Sequence, residues 1–402
     1  LETKQKKLVL FSQYYLEVFL KYEIKTLSDN FESIYAFPLN TNNNPEEYPS
    51  NINQIKFDYE PRVILKKLLI RYFLLFSQWF TNELIFSNKR GEYIRNFKKY
   101  FFLLARNLQV AHNFKTQFPE LCNSSDTVFY AYWFDDQGSI VTLLKRIGVN
   151  GKFISRVHLF DFQEEYRKNN YIPFRKTESK YLDKIYPISS FATKYLKERF
   201  NILNTKTAHL GVINRGDNPI ASDIEIFTIV SCSRLSWEKR PFLLIELISK
   251  LTLHINWIHF GSGPMEKEFM EKVKTLPTNI KFEYKGNVSN ENLISFYNTH
   301  SVDVFLNVSS FEGIPVTMME AISFGIPIVG CNVGGVSEIV NNETGVLLDE
   351  NFDPNNAFCL IVELLINNSR NINFRKAVKR FWSLNFDARV NANIFVNEIK
   401  NL

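Results

Sequence analysis

Glycine is scarce in this sequence, 15 of 402 residues, about half the ~7% usual in soluble proteins. Four of the fifteen fall in residues 1–210, eleven fall in 211–345, and none precedes Gly91. Glycine serves where backbone must turn sharply or come close to something, so its clustering marks one stretch of the chain as the place to look for function. Cysteine is nearly absent as well. Cys122, Cys232, Cys331 and Cys359 lie far apart without a CxxC pair, which excludes a zinc knuckle or a disulfide framework and fits a reducing cytosol. Long apolar runs are missing too. The best candidate, VILKKLLIRYFLLFSQWF, is broken by Lys66, Lys67 and Arg71, short of the ~18 uninterrupted apolar residues of a spanning helix. The apolar run LVLF near the start is too short for a signal peptide. No repeat is visible at a solenoid period.

What is present describes a globular protein: 45% hydrophobic and 22% charged residues, too apolar for a disordered chain. A length of 402 residues suggests two or three domains. The net charge of +6 conceals an asymmetry. Residues 1–224 carry 32 basic against 23 acidic side chains, and residues 225–402 carry 16 against 19. A basic front half and a slightly acidic back half point to two domains with different partners.

Short apolar runs alternate with helical stretches, the pattern of a doubly wound α/β protein. Expected strands in the front half are 7–11, 33–37, 127–133, 152–157 and 183–189, with residues 61–111 reading as two helices. A linker is expected at 210–223, where Gly, Pro and Asp gather. The pattern restarts with IFTIVSCSRL (226–235) and continues to about residue 348, after which three helical segments close the chain.

The glycine-rich stretch carries the chemistry. INWIHFGSGPMEKEFMEKV reads as a strand, a Gly-Ser-Gly turn and a helix opened by Pro264, whose free first-turn amides suit an anion. GSGP is not GxGxxG, because Glu266 occupies the place of the third glycine, so NAD is disfavoured. In SVDVFLNVSSFEGIPVTMMEAISFGIPIVG a second strand leads through Pro315 into a helix ending near Phe324-Gly325. Amides around Gly313 and Ile314 sit at the positive end of that helix, framed by Glu312 and Glu320. Eight helical residues rise about 12 Å, whereas a glycosidase carboxyl pair stands roughly 5–9.5 Å apart. The two acids therefore grip different parts of one elongated ligand.

These residues carry a resemblance. FEGIPVTMMEAISFGIPIV resembles the E-x7-E signature of retaining GT-B glycosyltransferases of family 4, or group 1. CSRLSWEKRPFLLIELI is similar to that family's RL…EK helix start and FGSGPMEKEF to its GxGP turn. GNVSNENLISFYNTHSVDVFLNVS and VGGVSEIVNNETGVLL follow in the same order, so the resemblance runs from 229 to 350. It implies a GT-B fold, two Rossmann-like domains facing each other across a cleft. It implies that Arg234 and Lys239 neutralise the donor diphosphate and that Glu320 holds the ribose hydroxyls. Glu312, Gly313, Ile314, Pro315 and Val316 would face the donor sugar, and Gly263, Asn287 and Val288 would lie near the base. Such fixed cations and amides stabilise the charge that develops as a nucleoside diphosphate departs.

In the front half, FISRVHLFDFQEEYRKNNYIPFRK and LDKIYPISSFATKYLKERF resemble polysaccharide-biosynthesis members of the family, where a strand ends in a histidine facing the donor sugar. That residue is His158, which with Glu312, Arg234 and Lys239 makes up the expected catalytic set. Trp133, Asp136, Asp161 and Ser189 are expected on the acceptor side. So are Tyr14 and Tyr15, which stand where the family carries a glycine pair. The implied reaction is transfer, with retention, from a nucleotide-diphospho-sugar to a glycan or lipid-linked acceptor. No DxD motif is present, so neither a metal nor another cofactor is expected. The tyrosine pair keeps open a non-catalytic GT-B scaffold that binds nucleotide or glycan, and a GT-B nucleotide-sugar epimerase is a further alternative.

Residues 62–106 hold ten Lys and Arg against Glu83 and Glu92, interleaved with aromatics. Two readings remain open: an amphipathic helix packed on its own domain, or one lying on an anionic membrane at the cytoplasmic face. Nucleic acid is not expected, since no binding motif accompanies the charge. The expected domains are 1–215 on the acceptor side, 216–384 for the nucleotide sugar, and a helix, 385–402, crossing back to the first. The expected location is cytoplasmic, at the inner face of the membrane if the basic segment is interfacial.

Overall fold

The computed structural model describes residues 6–13, 20–39, 49–55, 68, 70–86, 90–167, 169–222 and 225–402. Tyr14 and Tyr15 lie outside the described residues, as do Arg62, Lys66 and Lys67 of the basic segment. The chain divides into two compact units, Leu1–His209 with Ala392–Leu402, and Leu210–Asn391. Against boundaries expected at 215 and 384, the second unit thus gains a few residues at each end. The reason is a short seam: Val212 N donates to Phe386 O at 3.0 Å, and Asn391 Nδ2 donates to Leu210 O at 2.9 Å.

In the first unit, β1 (Lys7–Ser12), β2 (Ser33–Pro38), β3 (Ile52–Gln54), β4 (Thr127–Ala131), β5 (Lys152–Val157) and β6 (Lys184–Pro187) form one parallel sheet. Its order is β3-β2-β1-β4-β5-β6, the doubly wound arrangement with its switch point between β1 and β4. Strands of such a sheet are covered on both faces and so read as continuous apolar runs. In β1, Val9 and Phe11 enter a core that includes Leu104, Leu108 and Phe114 of the helix Phe97–Gln117. Leu8 and Leu10 enter the opposite core, with Phe395, Val396 and Ile399 of the closing helix Ala388–Lys400.

A buried ion pair marks where that closing helix sits. Arg156 of β5 donates from Nη2 to Glu23 Oε2 at 2.6 Å and from Nε to Tyr130 OH at 2.9 Å. Its guanidinium carbon lies 4.2 Å from the centre of the Phe395 ring. A fully buried charge is tolerable because every side of it is answered.

Two expectations need adjustment. β4 ends at Ala131 rather than residue 133, because Trp133 N turns to Gln137 Oε1 at 3.0 Å and Asp135 caps the helix Asp136–Arg146. The basic segment shows three helices among the described residues, Phe73–Phe86, Arg90–Arg95 and Phe97–Gln117. The last two part at Asn96, whose side-chain amide donates to Glu92 O at 2.9 Å.

The second unit repeats the plan. β7 (Ile226–Cys232), β8 (His254–Phe260), β9 (Ile280–Gly286), β10 (Val304–Asn307), β11 (Ile328–Cys331) and β12 (Gly345–Leu348) are parallel, in the order β12-β11-β10-β7-β8-β9. Its switch point falls between β7 and β10. The Gly-Ser-Gly turn, the segment around Gly313 and the Gly334-Gly335 pair lie in loops after β8, β10 and β11, at the carboxyl ends of these strands.

Candidate active site

Three loops of the second unit are sewn together by backbone. After β8 the chain turns at Gly261, whose φ is +118° and whose side, in any other residue, would place a Cβ 2.0 Å from Ser233 O. A Cβ on Gly263 would meet Leu235 O at 2.4 Å. The close approach allows Leu235 N to donate to Ser262 O at 3.1 Å and Met265 N to donate to Leu235 O at 3.0 Å. After β11, Gly334 has φ +55° and lies where a Cβ would come within 1.7 Å of Glu312 O. Gly335 N donates to Gly313 O at 2.9 Å. The glycines are thus required by contact between loops, which fixes the segments carrying the charged side chains.

Those side chains meet at the switch point. Lys239 Nζ lies 2.6 Å from Glu312 Oε1, and Asn307 Nδ2 donates to the same oxygen at 3.3 Å. Arg240, in left-handed backbone at φ +47°, donates from Nη2 to Ser309 O at 3.0 Å and from Nη1 to Glu350 O at 2.7 Å. It holds the loop after β10 against the loop after β7. Ser310 N strengthens the seam by donating to Glu238 O at 2.8 Å. Arg234, by contrast, is exposed, and no acidic side chain among the described residues engages it. A fixed ion pair beside an uncommitted cation suits an anionic ligand.

Glu312, Gly313, Ile314 and Pro315 are buried and lead into the helix Val316–Ser323. Pro315 stands at the cap position, one residue before the first helical turn it was expected to open. Pro264 likewise sits in the turn ahead of the helix Glu266–Lys272. Glu320 is 6% exposed, and burial pushes its carboxyl up to about 7, against the opposing pull of the Asn290 hydrogen bond and the Arg215 charge. Asn290 Nδ2 donates to Glu320 Oε1 at 2.5 Å. Cys232, the last residue of β7, feels both the Glu320 carboxylate and the Lys239 ammonium. Asn287 is exposed and Val288 half-buried in the loop after β9.

Asn290, Asn307 and Arg240 are the residues that sequence reasoning missed. Arg240 adjoins the motif EKR and could have been weighed with it. Nothing local distinguishes Asn290 from the other polar residues of NVSNEN.

In the first unit His158 ends β5. It is 3% exposed, its ring centre is 4.1 Å from that of Trp133, and its Nε2 lies 3.0 Å from Tyr132 O. A carbonyl only accepts, so Nε2 carries the proton. Burial, with the nearby Arg156 charge, holds the imidazole down at about 3. It is a neutral hydrogen-bonding group at physiological pH. Asp136 pairs with Arg106 and accepts from Asn107 Nδ2 at 3.3 Å.

Two acceptor-side expectations are corrected here. Asp161 is 1% exposed, and its Oδ2 accepts from His158 N at 2.8 Å and Phe134 N at 3.0 Å. It braces the loop after β4 against the loop after β5, so its carboxylate is spent on backbone. Ser189 is fully buried and its hydroxyl accepts from Ala192 N at 3.1 Å, capping the helix Ser190–Phe200 instead of lining a surface.

Paired doubly wound sheets with a charged switch point are the architecture of GT-B glycosyltransferases, and comparison with solved structures agrees. The galactosyltransferase WaaB of the lipopolysaccharide outer core, in its apo form, superposes at a TM-score of 0.69 with 14% identity, covering 98% of this chain and all of that one. HepE of Anabaena in complex with UDP-glucose superposes at 0.62 with 16% identity and coverage of 98% and 100%. Residues 217–381 match the family described as glycosyl transferases group 1. Among curated proteins, the O-antigen biosynthesis glycosyltransferase WbnH of Escherichia coli is 32% identical over 127 residues, 32% of this chain and 35% of that protein. The chain spans little more than a third of the length of its first curated relatives, 37% and 35%.

Proposed function

We propose that the protein transfers a sugar, with retention of configuration, from a nucleotide-diphospho-sugar to a glycan or lipid-linked acceptor in cell-surface polysaccharide biosynthesis. The observation that carries this reading is the pairing of Lys239 with Glu312 beside the uncommitted Arg234 at the switch point of the second sheet. Arg234 and Lys239 would meet the diphosphate, and the backbone amides of Gly313, Ile314 and Val316, at the start of the helix, would face the sugar end. Glu320, oriented by Asn290, would hold the ribose hydroxyls. HepE was solved with UDP-glucose, which supports a donor of this class.

In a front-face reaction the sugar–phosphate bond breaks as the acceptor oxygen attacks from the same side. The departing phosphate oxygen takes the acceptor proton, so no protein nucleophile is needed and no metal is invoked. Neutral His158, with its Nε2–H given to Tyr132 O, would not serve as a proton donor. Incubation with UDP-, GDP- and ADP-sugars, followed for nucleotide release and for transfer to acceptor, tests the assignment. Release abolished by Glu312→Ala and Lys239→Ala supports it. Release that survives both variants, binding without turnover, or donor conversion without acceptor would overturn it, the last two in favour of a scaffold or an epimerase.

A specific observation favours contact with a membrane. Ile70, Phe73, Leu74, Ile94 and Phe102 are exposed by 62–80% on helical residues that also expose Arg71, Arg90, Arg95 and Lys98. Apolar side chains rimmed by cations match an anionic bilayer surface. Among the described residues no helix is long and apolar enough to cross a membrane.

A further inference from the structure

Beneath the Gly-Ser-Gly turn lies a buried polar group to which the donor reading gives no task. His259, near the end of β8, is fully buried, and Ser231 of β7 stands beside it in register. Side chains two residues apart on a strand share a face, so Trp257 joins them. Trp257 Nε1 donates to Ser231 Oγ at 2.8 Å, and that oxygen lies 2.8 Å from His259 Nδ1. An indole N–H only donates, so the Ser231 hydroxyl accepts from Trp257, and its own proton finds its acceptor in Nδ1. The imidazole proton is thereby left on Nε2. Burial holds the ring down at about 4, against the opposing pull of the Ser233 backbone, and it is neutral at physiological pH.

Packing alone does not call for an imidazole here. The ring lies between Phe269, with centres 5.3 Å apart, and Tyr284, parallel to it at 6.3 Å. Phenylalanine would fill that space without polar atoms to answer. The Nε2 proton closes no hydrogen bond of ordinary geometry, and an unanswered buried donor is costly, so its retention calls for a reason. Its polar neighbour is the Ser233 backbone, and of that peptide only the carbonyl accepts. The same carbonyl lies where a Cβ on Gly261 would come within 2.0 Å, and Ser233 N donates to Phe260 O at 3.0 Å. The residue that follows is Arg234, the exposed cation of the site. Beyond it, Leu235 is tied through its N to Ser262 O and through its O to Met265 N. The backbone on both sides of Arg234 is therefore held, and on the Ser233 side His259 is the side chain that faces it.

We propose that His259 is a positioning residue for Arg234: its Nε2–H sets the rotation of the Ser233 carbonyl, and with it the peptide from which the Arg234 side chain departs. Ser231 and Trp257 fix the tautomer that makes Nε2 the donor. Binding groups have to be held within about 0.5 Å of their working geometry, and a peptide turned otherwise would carry the guanidinium away from the diphosphate. The inference deepens the donor reading and rests on it, because the aim of Arg234 matters only if a diphosphate is its target.

Titration calorimetry on the full chain, run by displacement for weak ligands, compares UDP, GDP and ADP with uridine, guanosine and adenosine. For the preferred base, the ratio of the two affinities isolates what the diphosphate contributes. His259→Phe keeps the ring packing and removes both nitrogens. It should lower that ratio about tenfold, the scale of one hydrogen bond to a charged group, and leave nucleoside affinity unchanged. Glutamine can place an amide N–H where Nε2 stands, and asparagine one where Nδ1 stands. His259→Gln should therefore keep most of the ratio and His259→Asn should lose it; should His259→Phe not fold, this contrast alone decides. Arg234→Ala should lower the ratio by itself, and adding His259→Phe should lower it no further. Equal weakening of nucleoside and diphosphate, a ratio kept by His259→Asn but not by His259→Gln, or additive losses in the double variant would overturn the inference. A wild-type preference for diphosphate that His259→Phe leaves intact would defeat it alone. A wild-type protein that binds no nucleoside diphosphate would defeat the donor reading and this inference together.

Discussion

Lys239 Nζ stands 2.6 Å from Glu312 Oε1, joining the loop after β7 to the loop after β10 across the switch point of the second sheet. Glu312 is 8% exposed, and its other side-chain partner is the longer Asn307 contact. Removing the lysine therefore strands a buried carboxylate. Lys239→Ala should destabilise the protein by about 1–3 kcal/mol. The double variant Lys239→Ala/Glu312→Gln should recover part of that, because a neutral amide no longer needs a cation. Denaturant melts of the four proteins decide; a double variant as unstable as the sum of the singles would show that the pair is not coupled.

The contact between Gly334 and Glu312 admits no side chain. Gly334→Ala combines positive φ with a Cβ 1.7 Å from a backbone oxygen, and should cost more than about 2 kcal/mol and weaken nucleotide-sugar binding. Gly91→Ala is the control. That glycine lies in the helix Arg90–Arg95 with nothing near its Cβ position, and the substitution should stabilise by about 0.5 kcal/mol. Thermal melts of both variants, with calorimetry for the first, check the contrast.

Glu320 makes donor binding depend on pH. Its folded carboxyl titrates at about 7, so protonation persists to neutrality, and ionisation at higher pH charges a buried group. If hydroxyls of the donor bond the carboxylate, affinity should rise as pH increases through 7. The ionised fraction grows about tenfold between pH 6 and 8, and the dissociation constant of an intact nucleotide sugar should fall by about that factor. Glu320→Gln should flatten the profile. A wild-type profile that is already flat would remove Glu320 from the site.

Asn290 tunes that titration. Its hydrogen bond lowers the Glu320 pKa, so Asn290→Ala should move the midpoint of the affinity profile to higher pH and leave the plateau affinity less affected. Calorimetric titrations at four or five pH values read the shift. An unmoved midpoint would mean that Asn290 merely packs there.

The exposed apolar side chains on residues 70–102 predict lipid contact. Wild-type protein should float with vesicles containing phosphatidylglycerol and fail to float with neutral phosphatidylcholine vesicles. Arg71→Gln/Arg90→Gln/Arg95→Gln/Lys98→Gln should lose most of the effect, as should 0.5 M salt. Flotation indifferent to both would exclude an electrostatic surface.

Much of the fold was legible because parallel strands buried on both faces leave a plain mark. LVLF is an unbroken apolar run and IFTIVSC is interrupted only by Thr228 and Ser231, and each became the strand at the centre of its sheet. The order of the glycine motifs was legible for a different reason: only glycine fits where Gly261 and Gly334 touch neighbouring backbone. What escaped depends on distance in sequence. Asn290 reaches Glu320 thirty residues away, and Arg175 reads as part of an ordinary basic surface run, FRKTESK, although its guanidinium is buried over Phe134. Asp161 and Ser189 looked like polar residues at strand ends, where ligands bind, but were consumed by backbone amides that no local pattern reveals.

The packing of Phe395, Val396 and Ile399 against the first sheet has a consequence for biosynthesis. Those side chains are made after the entire second unit has been translated, since Ala392–Leu402 belongs with Leu1–His209 while Leu210–Asn391 intervenes. As the chain leaves the ribosome, Leu8, Leu10 and Ile154 form a sheet face whose cover has not yet been synthesised. The second unit, continuous in sequence, is complete first. The first sheet, made before the second unit, closes only after it, and until then its open apolar face is the surface a nascent-chain chaperone would find.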